Sequence, residues 1–333
     1  MGLLANVDPV FSYLLLSAAL KYYVNYLWKD VVPNGAKLVG VVTGLELFPL
    51  KSGKGIEQEE VKCSSHKGPS CGPVTDRHWM VVTDKHQMVS SRQEPLLSRI
   101  VPRFEGSTMI ITAPGCDDLS LDPDLVERAA KPISTDVHSV PTMALDCGEE
   151  ASQWISKYLD KPGYRLVYSG RDVYTRGVVG GNNKYLAWTR VAKSDDKLAF
   201  HDSISLHLIT EESVADLNKR LENPLKTSRF RPNIVAKTGS EPYAEDNWKE
   251  VYIGTARLRT LKLCARCVLP NVDPETGLKD PDDQPLKTLN RYRNILGGIL
   301  GPALGIDLIV EKPGIVHVGD EIYAIRGDNI TPP

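Results

Sequence analysis

Two cysteines, Cys264 and Cys267, stand three residues apart in "LCARCVLPNVDPETG" (263–277), with Arg266 against the second. Three chemistries could use such a pair. A closed zinc site takes about four ligands, so its second half would have to come from Cys63, His66 and Cys71 far upstream. Their spacing, C-x2-H-x4-C, is too loose for a clean knuckle. A redox dithiol opens a helix after a strand, where the helix N-terminus lowers the thiol pKa. Here Val268, Leu269 and Pro270 follow, then "NVDPETG", which reads as a strand end running into a turn. What remains is one cysteine working as a soft thiolate ligand or nucleophile, favoured by the charge of Arg266. The plainer alternative is a pair of small buried hydrophobes, because free cysteine is commonly buried.

Three other stretches offer groups for an anionic or polar ligand. "SRFRPNIV" (228–235) sets Arg229, Arg231 and Asn233 beside an apolar run, and a forked guanidinium next to an amide suits phosphate or a polar heterocycle. "PLKSGKG" (49–55) is a Lys/Ser/Gly turn able to offer Lys51 and backbone N–H groups to an anion. "DRHW" (76–79) adds Arg77 at the start of a strand. Each taken singly reads equally well as a solvated turn or surface arginine. Together they describe an anionic ligand held by scattered basic residues near a thiolate.

The elements that must position these groups are mostly strands. "LVGVVTGLELF" (38–48), "WMVVT" (79–83) and "STMIITA" (107–113) are β-branched and separated by Gly/Pro turns, which predicts a β-rich α+β architecture. A helix is predicted over 148–159, where Ala151, Trp154, Ile155 and Leu159 form a stripe. Another is predicted over 212–221, with Val214, Leu217 and Leu221 on one face and Thr210 or Ser213 as cap. Residues 169–196 are Gly-rich and polar, a long loop or linker near a domain boundary. "NIVAKTG" and "VYIGTARLRTLKL" read as strands, and "GIVHVGDEIYAI" as a closing strand pair. No G-x-G-x-x-G follows a strand and no P-loop occurs, so the dinucleotide and nucleotide folds are disfavoured.

With 333 residues the chain has room for about two domains. Its formal charge of −2 supplies no broad basic field, so nucleic acid is not an expected partner. Six cysteines in this length are too few for a disulfide framework, and a reducing compartment is expected. "VFSYLLLSAALKYYVNYLW" (10–28) is apolar and aromatic, long enough at helical rise to cross a bilayer. Tyr22, Tyr23, Tyr26 and Trp28 cluster at one end like an interfacial belt, and Lys29 follows, which would leave the rest of the chain in the cytosol. A core or interfacial helix is the alternative.

In this order, "LVGVVTGLELFPLKSGKG", "DRHWMVVT", "QEP", "LDCGEEASQW", "SVADLNKRL", "RFRPNIV", "YAEDNW", "CARCVLPNVDPETG" and "PLKTLNRYR" resemble the MOSC-domain family, most closely its amidoxime-reducing branch. The resemblance runs from about residue 38 to the C-terminus. It implies an N-terminal transmembrane anchor (1–35), a β-barrel-like MOSC N-terminal domain (36–175) and a β-barrel-like MOSC catalytic domain (176–333). It also implies a molybdenum cofactor, a pterin dithiolene carrying a phosphate, whose metal takes one protein thiolate. Carried over residue by residue, that ligand is Cys267 and not Cys264. Contacts to the pterin and phosphate carry onto Lys51, Ser52, Arg77, Ser203, Arg231 and Asn233, with Arg266 beside the thiolate. Asp202 is the implied acid or orienting group. Asp202 and Ser203 keep the family pattern, whereas Ile204 and Ser205 depart from its polar residue and proline.

The implied activity is reduction of N-hydroxylated compounds: amidoximes, hydroxylamines and N-oxides. No flavin or nicotinamide motif is present, so electrons would arrive from cytochrome b5 and its NADH-dependent reductase. The implied location is the mitochondrial outer membrane with the catalytic part facing the cytosol. Two other classes stay open. One is a cofactor or sulfur carrier without reductase activity, like the MOSC tail of molybdenum cofactor sulfurases, whose upstream pyridoxal-phosphate domain this chain is expected to lack. The other is a catalytically silent, membrane-tethered binding module.

Overall fold

The computed structural model describes residues 32–65, 67–171, 176–177, 197–202, 205–295 and 301–327. Among these, no helix is long and apolar enough to cross a membrane. The expected anchor lies outside the described residues except for positions 32–35, as do Ser203, Ile204 and most of the expected loop at 169–196.

The strands that carry the architecture are, in chain order, β1 (Lys37–Leu47), β2 (Trp79–Thr83), β3 (Pro132–Val137), β4 (Val140–Asp146), β5 (Tyr164–Tyr168), β6 (Leu206–Thr210), β7 (Ile234–Lys237), β8 (Trp248–Ile253), β9 (Ala256–Ala265), β10 (Ala303–Lys312) and β11 (Glu321–Arg326). Seven of them form a sheet ordered β7-β6-β10-β9-β8-β11-β1, and β1 pairs back onto β7. That return closes a barrel, which leaves few exposed strand edges. Its interior holds Val42, Leu45, Leu208, Ile234, Val251, Leu258, Ile306 and Leu308, each nearly inaccessible. β1 belongs to the segment expected to form the first domain, yet its hydrogen bonds complete the second barrel through β7 and β11. Eight of the ten residues of β10 are buried, and its one charge among them, Asp307, faces His207 of β6 and Lys262 of β9 across the register.

β3, β4, β5 and β2, extended by Met88–Val89, form a second sheet in that order. One face packs on a three-stranded sheet (Val101–Glu105, Thr108–Thr112, Leu119–Leu121) and on helix α2 (Glu149–Tyr158), which follows α1 (Pro123–Ala129). Ala151, Trp154, Ile155 and Leu159, the predicted stripe, are all buried here. The other face packs Met80, Val82, Ala144 and Val167 against Phe200, which stands just ahead of β6. Phe200 thereby ties the chain leading into the barrel to the second sheet, and its N–H donates to Arg77 O at 3.1 Å.

Three expectations are corrected. The run at 251–263 is two strands, because Gly254 takes φ 53° and the chain reverses between Ile253 and Ala256. A Cβ at Gly254 would stand 2.3 Å from Ile315 O, so only glycine fits there. The closing strands at 314–326 do not pair with each other: Gly314–His317 joins Glu60–Cys63, while β11 joins β8 and β1. The turn at His317–Asp320, fixed by Asp320 Oδ2 accepting from His317 N–H at 2.8 Å, sends them to different sheets. Helix α3 (Glu211–Asn218) starts at Thr210, whose hydroxyl accepts from Ser213 N–H, but it stops before Leu221. Asn218 ends it by exchanging two 2.9 Å hydrogen bonds with the Leu225 backbone. Within the expected loop, Arg176–Gly177 pairs with Lys197–Leu198.

Candidate functional site

The turn leaving β1 runs beside the start of β2 rather than into solvent. Arg77 N–H donates to Phe48 O at 2.7 Å, Trp79 N–H to Pro49 O at 3.1 Å and Lys51 N–H to Trp79 O at 2.8 Å. This lacing buries Lys51 and Ser52, which are 5% and 4% exposed. Ser52 (φ 74°), Arg77 (φ 53°) and Arg231 (φ 55°) all take left-handed backbone. For non-glycine residues that conformation costs about 1–2 kcal/mol each, and such positions gather at functional sites.

Asp76 organises one half of the site from complete burial. Its Oδ1 accepts from Phe48 N–H at 2.7 Å and Asn233 Nδ2 at 3.1 Å; its Oδ2 pairs with Arg77 and stands 3.2 Å from His201 Nε2. Burial would raise this carboxyl, but Arg77 and then His201 outweigh it and hold the group well below the usual carboxylate range. Asn233 links the two halves of the chain, donating also to Glu46 O at 3.1 Å and accepting from His207 N–H at 3.2 Å. The Phe48 ring lies under two guanidinium groups, 5.1 Å from Arg77 and 4.1 Å from Arg231. Arg231 also donates to Gly53 O, which orders the Lys51–Gly53 turn.

The other half centres on Asp202. Its carboxylate is half-exposed and meets Lys51 Nζ, His138 Nε2 at 2.9 Å and Arg92 Nη2 at 3.6 Å. Desolvation opposes its charge, but Lys51, His138 and Arg92 together hold it well below the ordinary value. Lys51, pushed down to about 8 by burial, donates to Phe200 O at 2.9 Å as well. Arg92 Nη2 reaches Cys267 Sγ at 3.3 Å. Lys51, Asp202, Arg92 and Cys267 thus form one chain of contacts across the seam between the two sheets.

The cysteine pair is asymmetric. Cys267 lies two residues past the end of β9, before the turn Leu269–Asn271. The "VDPETG" stretch beyond it folds back on itself: Asp273 N–H donates to Leu278 O at 2.8 Å and Gly277 N–H to Asp273 O at 2.7 Å. Cys264 faces the other way, among His207, Asp307 and Arg266. Burial, and then the Asp307 charge, push the Cys264 thiol up to about 12. Arg266 was expected to serve Cys267. Its guanidinium instead donates to Cys264 Sγ at 3.0 Å and to Phe230 O at 2.8 Å and lies 3.1 Å from His207 Nε2. Burial and Arg266 lower His207 to about 3, so the ring stays neutral and can accept that bond. His207, Cys264 and Asp307 bring ligand-type atoms within 4.8 Å of one another. Arg266 already serves the first two, and Lys262 Nζ holds Asp307 Oδ2 at 2.8 Å. The trio therefore fixes Arg266 rather than presenting open ligand positions.

Of the residues expected from sequence, Lys51, Asp202 and Cys267 share one contact chain, and Arg77, Arg231 and Asn233 share the Asp76–Phe48 half. Ser52 Oγ accepts from Ser91 N–H at 3.0 Å. Ser205, the departure from the family proline, donates its hydroxyl to Leu308 O at 3.3 Å and is anchored to β10. Sequence reasoning missed Asp76, Arg92 and His138. The only local sign was "SSRQEP" after a strand and a histidine in "DVHSV" between two β-branched runs. His138 and Ser139 form the two-residue turn joining β3 to β4, at φ 52° and 64°. Such turns favour Asn-Gly, so two larger residues here signal a constraint other than turn formation.

The cradle suits a phosphate-bearing group with a soft metal. Lys51, Arg77, Arg92, Arg231 and Arg266 outnumber the carboxylates Asp76 and Asp202, and Glu46 is raised to about 7, first by burial. Among the described residues of this cradle, two buried donors, Ser91 Oγ and Arg266 Nε, have no hydrogen-bond partner. Buried donors are seldom left unpaired, so both fit a site shaped for an acceptor. A cysteine sulfur is the appropriate donor for a soft redox metal.

Residues 39–162 match the family described as "MOSC N-terminal beta barrel domain", and residues 195–323 match "MOSC domain". The chain is 36% identical over 294 residues to mitochondrial amidoxime-reducing component 1 of Mus musculus, covering 86% of this chain and 83% of that one. It is 35% identical over 295 residues to mitochondrial amidoxime reducing component 2 of Rattus norvegicus, with the same coverage. Against mitochondrial amidoxime-reducing component 1 of Homo sapiens it is 35% identical over 293 residues, again covering 86% and 83%.

Proposed function

The chain belongs to the MOSC-domain family of amidoxime-reducing components, and on that premise we propose that it is a molybdenum-cofactor-dependent reductase of N-hydroxylated compounds. The observation that carries the reading is the convergence of Cys267 with a cradle of cations and two buried, unpartnered donors. When bound, the cofactor supplies the two-electron exchange with the oxygen of an N–O bond. Cys267 holds the metal, and Arg92 supplies the sulfur with a hydrogen bond. Lys51, Ser52, Arg77, Arg231, Asn233 and Arg266 hold the pterin and its phosphate; Ser203, outside the described residues, has the same assignment. Asp76 keeps Arg77 and Asn233 in place. Asp202 orients the groups around it and balances Lys51 and Arg92.

Electrons come from cytochrome b5 and its NADH-dependent reductase, and the protein sits on the mitochondrial outer membrane through its N-terminal segment with the folded part in the cytosol. Protease protection of tagged protein on isolated mitochondria tests that orientation. The reaction is tested by reconstituting cofactor-loaded protein with both electron-transfer partners and benzamidoxime while following NADH. Metal analysis is run in parallel. Cys267→Ala is expected to lose bound molybdenum and activity, and Cys264→Ala to keep most of both. Equal loss in the two variants would return the pair to a zinc or dithiol reading. Loaded wild-type protein that consumes no NADH with any N-hydroxylated compound would sink the reductase and favour a carrier of the cofactor.

A further inference from the structure

We propose that His138, on the β3–β4 hairpin, is the general acid that protonates the departing oxygen of the substrate, and that Asp202 orients it. This rests on the reductase reading. His138 lines an open cleft of about 540 Å³ together with Gln87, Met88, Gln93, Asp136 and Ser139. The cleft borders the site: Gln93 is next to Arg92, which touches both Asp202 and Cys267. His138 Nε2 stands 2.9 Å from Asp202 Oδ1, so the hairpin of one sheet meets the segment leading into the barrel at this contact. With Nε2 committed to Asp202, the proton available to a bound molecule is the one on Nδ1.

The chemistry requires such a donor. Reducing R–NH–OH to R–NH2 and water consumes two electrons and two protons. The electrons come from the external haem carrier, and the protons from solvent. The N–O bond breaks, one proton goes to the departing oxygen to make water, and the other goes to nitrogen. Asp202 is a poor source, because Lys51, His138 and Arg92 favour its ionised form. An ionised Asp202 instead holds the His138 ring in place through Nε2, and the ring gives its proton to the oxygen and is reprotonated through the open cleft. Among the described residues, the charged groups around His138 are Asp202, with Lys51 and Arg92 behind it, and Asp136 on its own hairpin, whose Oδ2 accepts from Ser139 N–H at 2.8 Å.

The backbone makes the role separable from folding. Asparagine tolerates left-handed backbone better than most residues, so His138→Asn keeps the hairpin while removing the acid. In the loaded, reconstituted full-length enzyme, His138→Asn is expected to lower kcat on the order of 10²-fold with KM within about twofold. Bound molybdenum should be unchanged. Added imidazole should restore part of the rate of His138→Ala. A readout independent of activity is the nitrogen-15 NMR spectrum of the His138 ring in cofactor-free protein, whose Nε2 resonance should shift in Asp202→Asn as the 2.9 Å contact is lost. His138→Asn with wild-type kcat, or a His138 Nε2 resonance indifferent to Asp202→Asn, would overturn the proposal and leave the reductase intact. Loaded wild-type protein inactive on every N-hydroxylated compound would overturn both.

Discussion

Replacing Asp76 by asparagine preserves the side chain's shape and removes its charge. The carboxylate is fully buried and makes four contacts: Phe48 N–H, Asn233 Nδ2, His201 Nε2 and the Arg77 guanidinium. Asparagine keeps one acceptor for Phe48 and Asn233 but turns an amide donor toward Arg77 and His201. The Arg77 side chain is only 16% exposed, so its charge would be left without compensation from water. Removing one partner of a buried pair costs about 3–5 kcal/mol. At roughly 2 °C per kcal/mol for a chain of this size, the melting temperature should fall by about 6–10 °C. The pH dependence follows from the direction of the shift. The folded carboxyl is held below its ordinary 3.8, so its stabilisation is present above that value and is lost only as pH falls through the depressed one. The deficit of Asp76→Asn should therefore be the same at pH 5, 7 and 9. Urea titrations followed by tryptophan fluorescence measure it, and molybdenum content should fall with it because Arg77 loses its anchor. A deficit below about 1 kcal/mol, or one that disappears between pH 5 and 9, would refute the assignment of Asp76 as the organising charge.

Glu245 is fully buried against the Thr210 and Ser213 hydroxyls, and burial raises it to about 7 from 4.5. A carboxyl raised on folding adds stability that is complete below the unfolded value and is lost as pH rises through the folded one. Wild-type stability should thus fall by about 3 kcal/mol between pH 4.5 and 8 from this group, and Glu245→Gln should flatten that slope in urea titrations. Phe48→Leu is expected to cost under about 1.5 kcal/mol in unfolding, because volume is roughly conserved. It removes the ring beneath Arg77 and Arg231, so cofactor retention after gel filtration should drop much more than stability. In cofactor-free protein at pH 7.5, iodoacetamide should alkylate Cys267 well before Cys264, whose thiol is pushed up to about 12. Peptide mass spectrometry reads the order, and equal rates would contradict the asymmetry of the pair.

Much of the local structure was legible in the chain. β-branched runs gave β1 and β2, the apolar stripe gave α2, and Thr210 was already a candidate cap for α3. These features depend on neighbours within one turn or one pleat, so residue type and period are enough. Errors came where a long-range contact outweighed the local pattern. Leu221 continues the helical stripe, but Asn218 binding Leu225 ends the helix first. The strands at 314–317 and 321–326 are adjacent in sequence, but each finds its partner elsewhere.

The site divides along the same line. Residue type alone nominated a thiolate, Lys51, Arg77, Arg231 and Asn233, because soft sulfur, forked guanidinium and amide each suit one kind of ligand atom. The resemblance to the family carried the metal assignment to Cys267 and brought in Asp202. Which groups meet was decided by tertiary structure. Lys51 and Asp202 are 151 residues apart, Arg92 and Cys267 are 175, and His138 and Asp202 are 64. No local period spans such separations. They close because β1 completes the distant barrel and Phe200 plugs the second sheet, so strand register sets which charges face each other. Arg266 shows the difference most directly. In sequence it neighbours Cys267, but the barrel presents His207 and Cys264 as its acceptors, leaving Arg92 to reach the Cys267 sulfur.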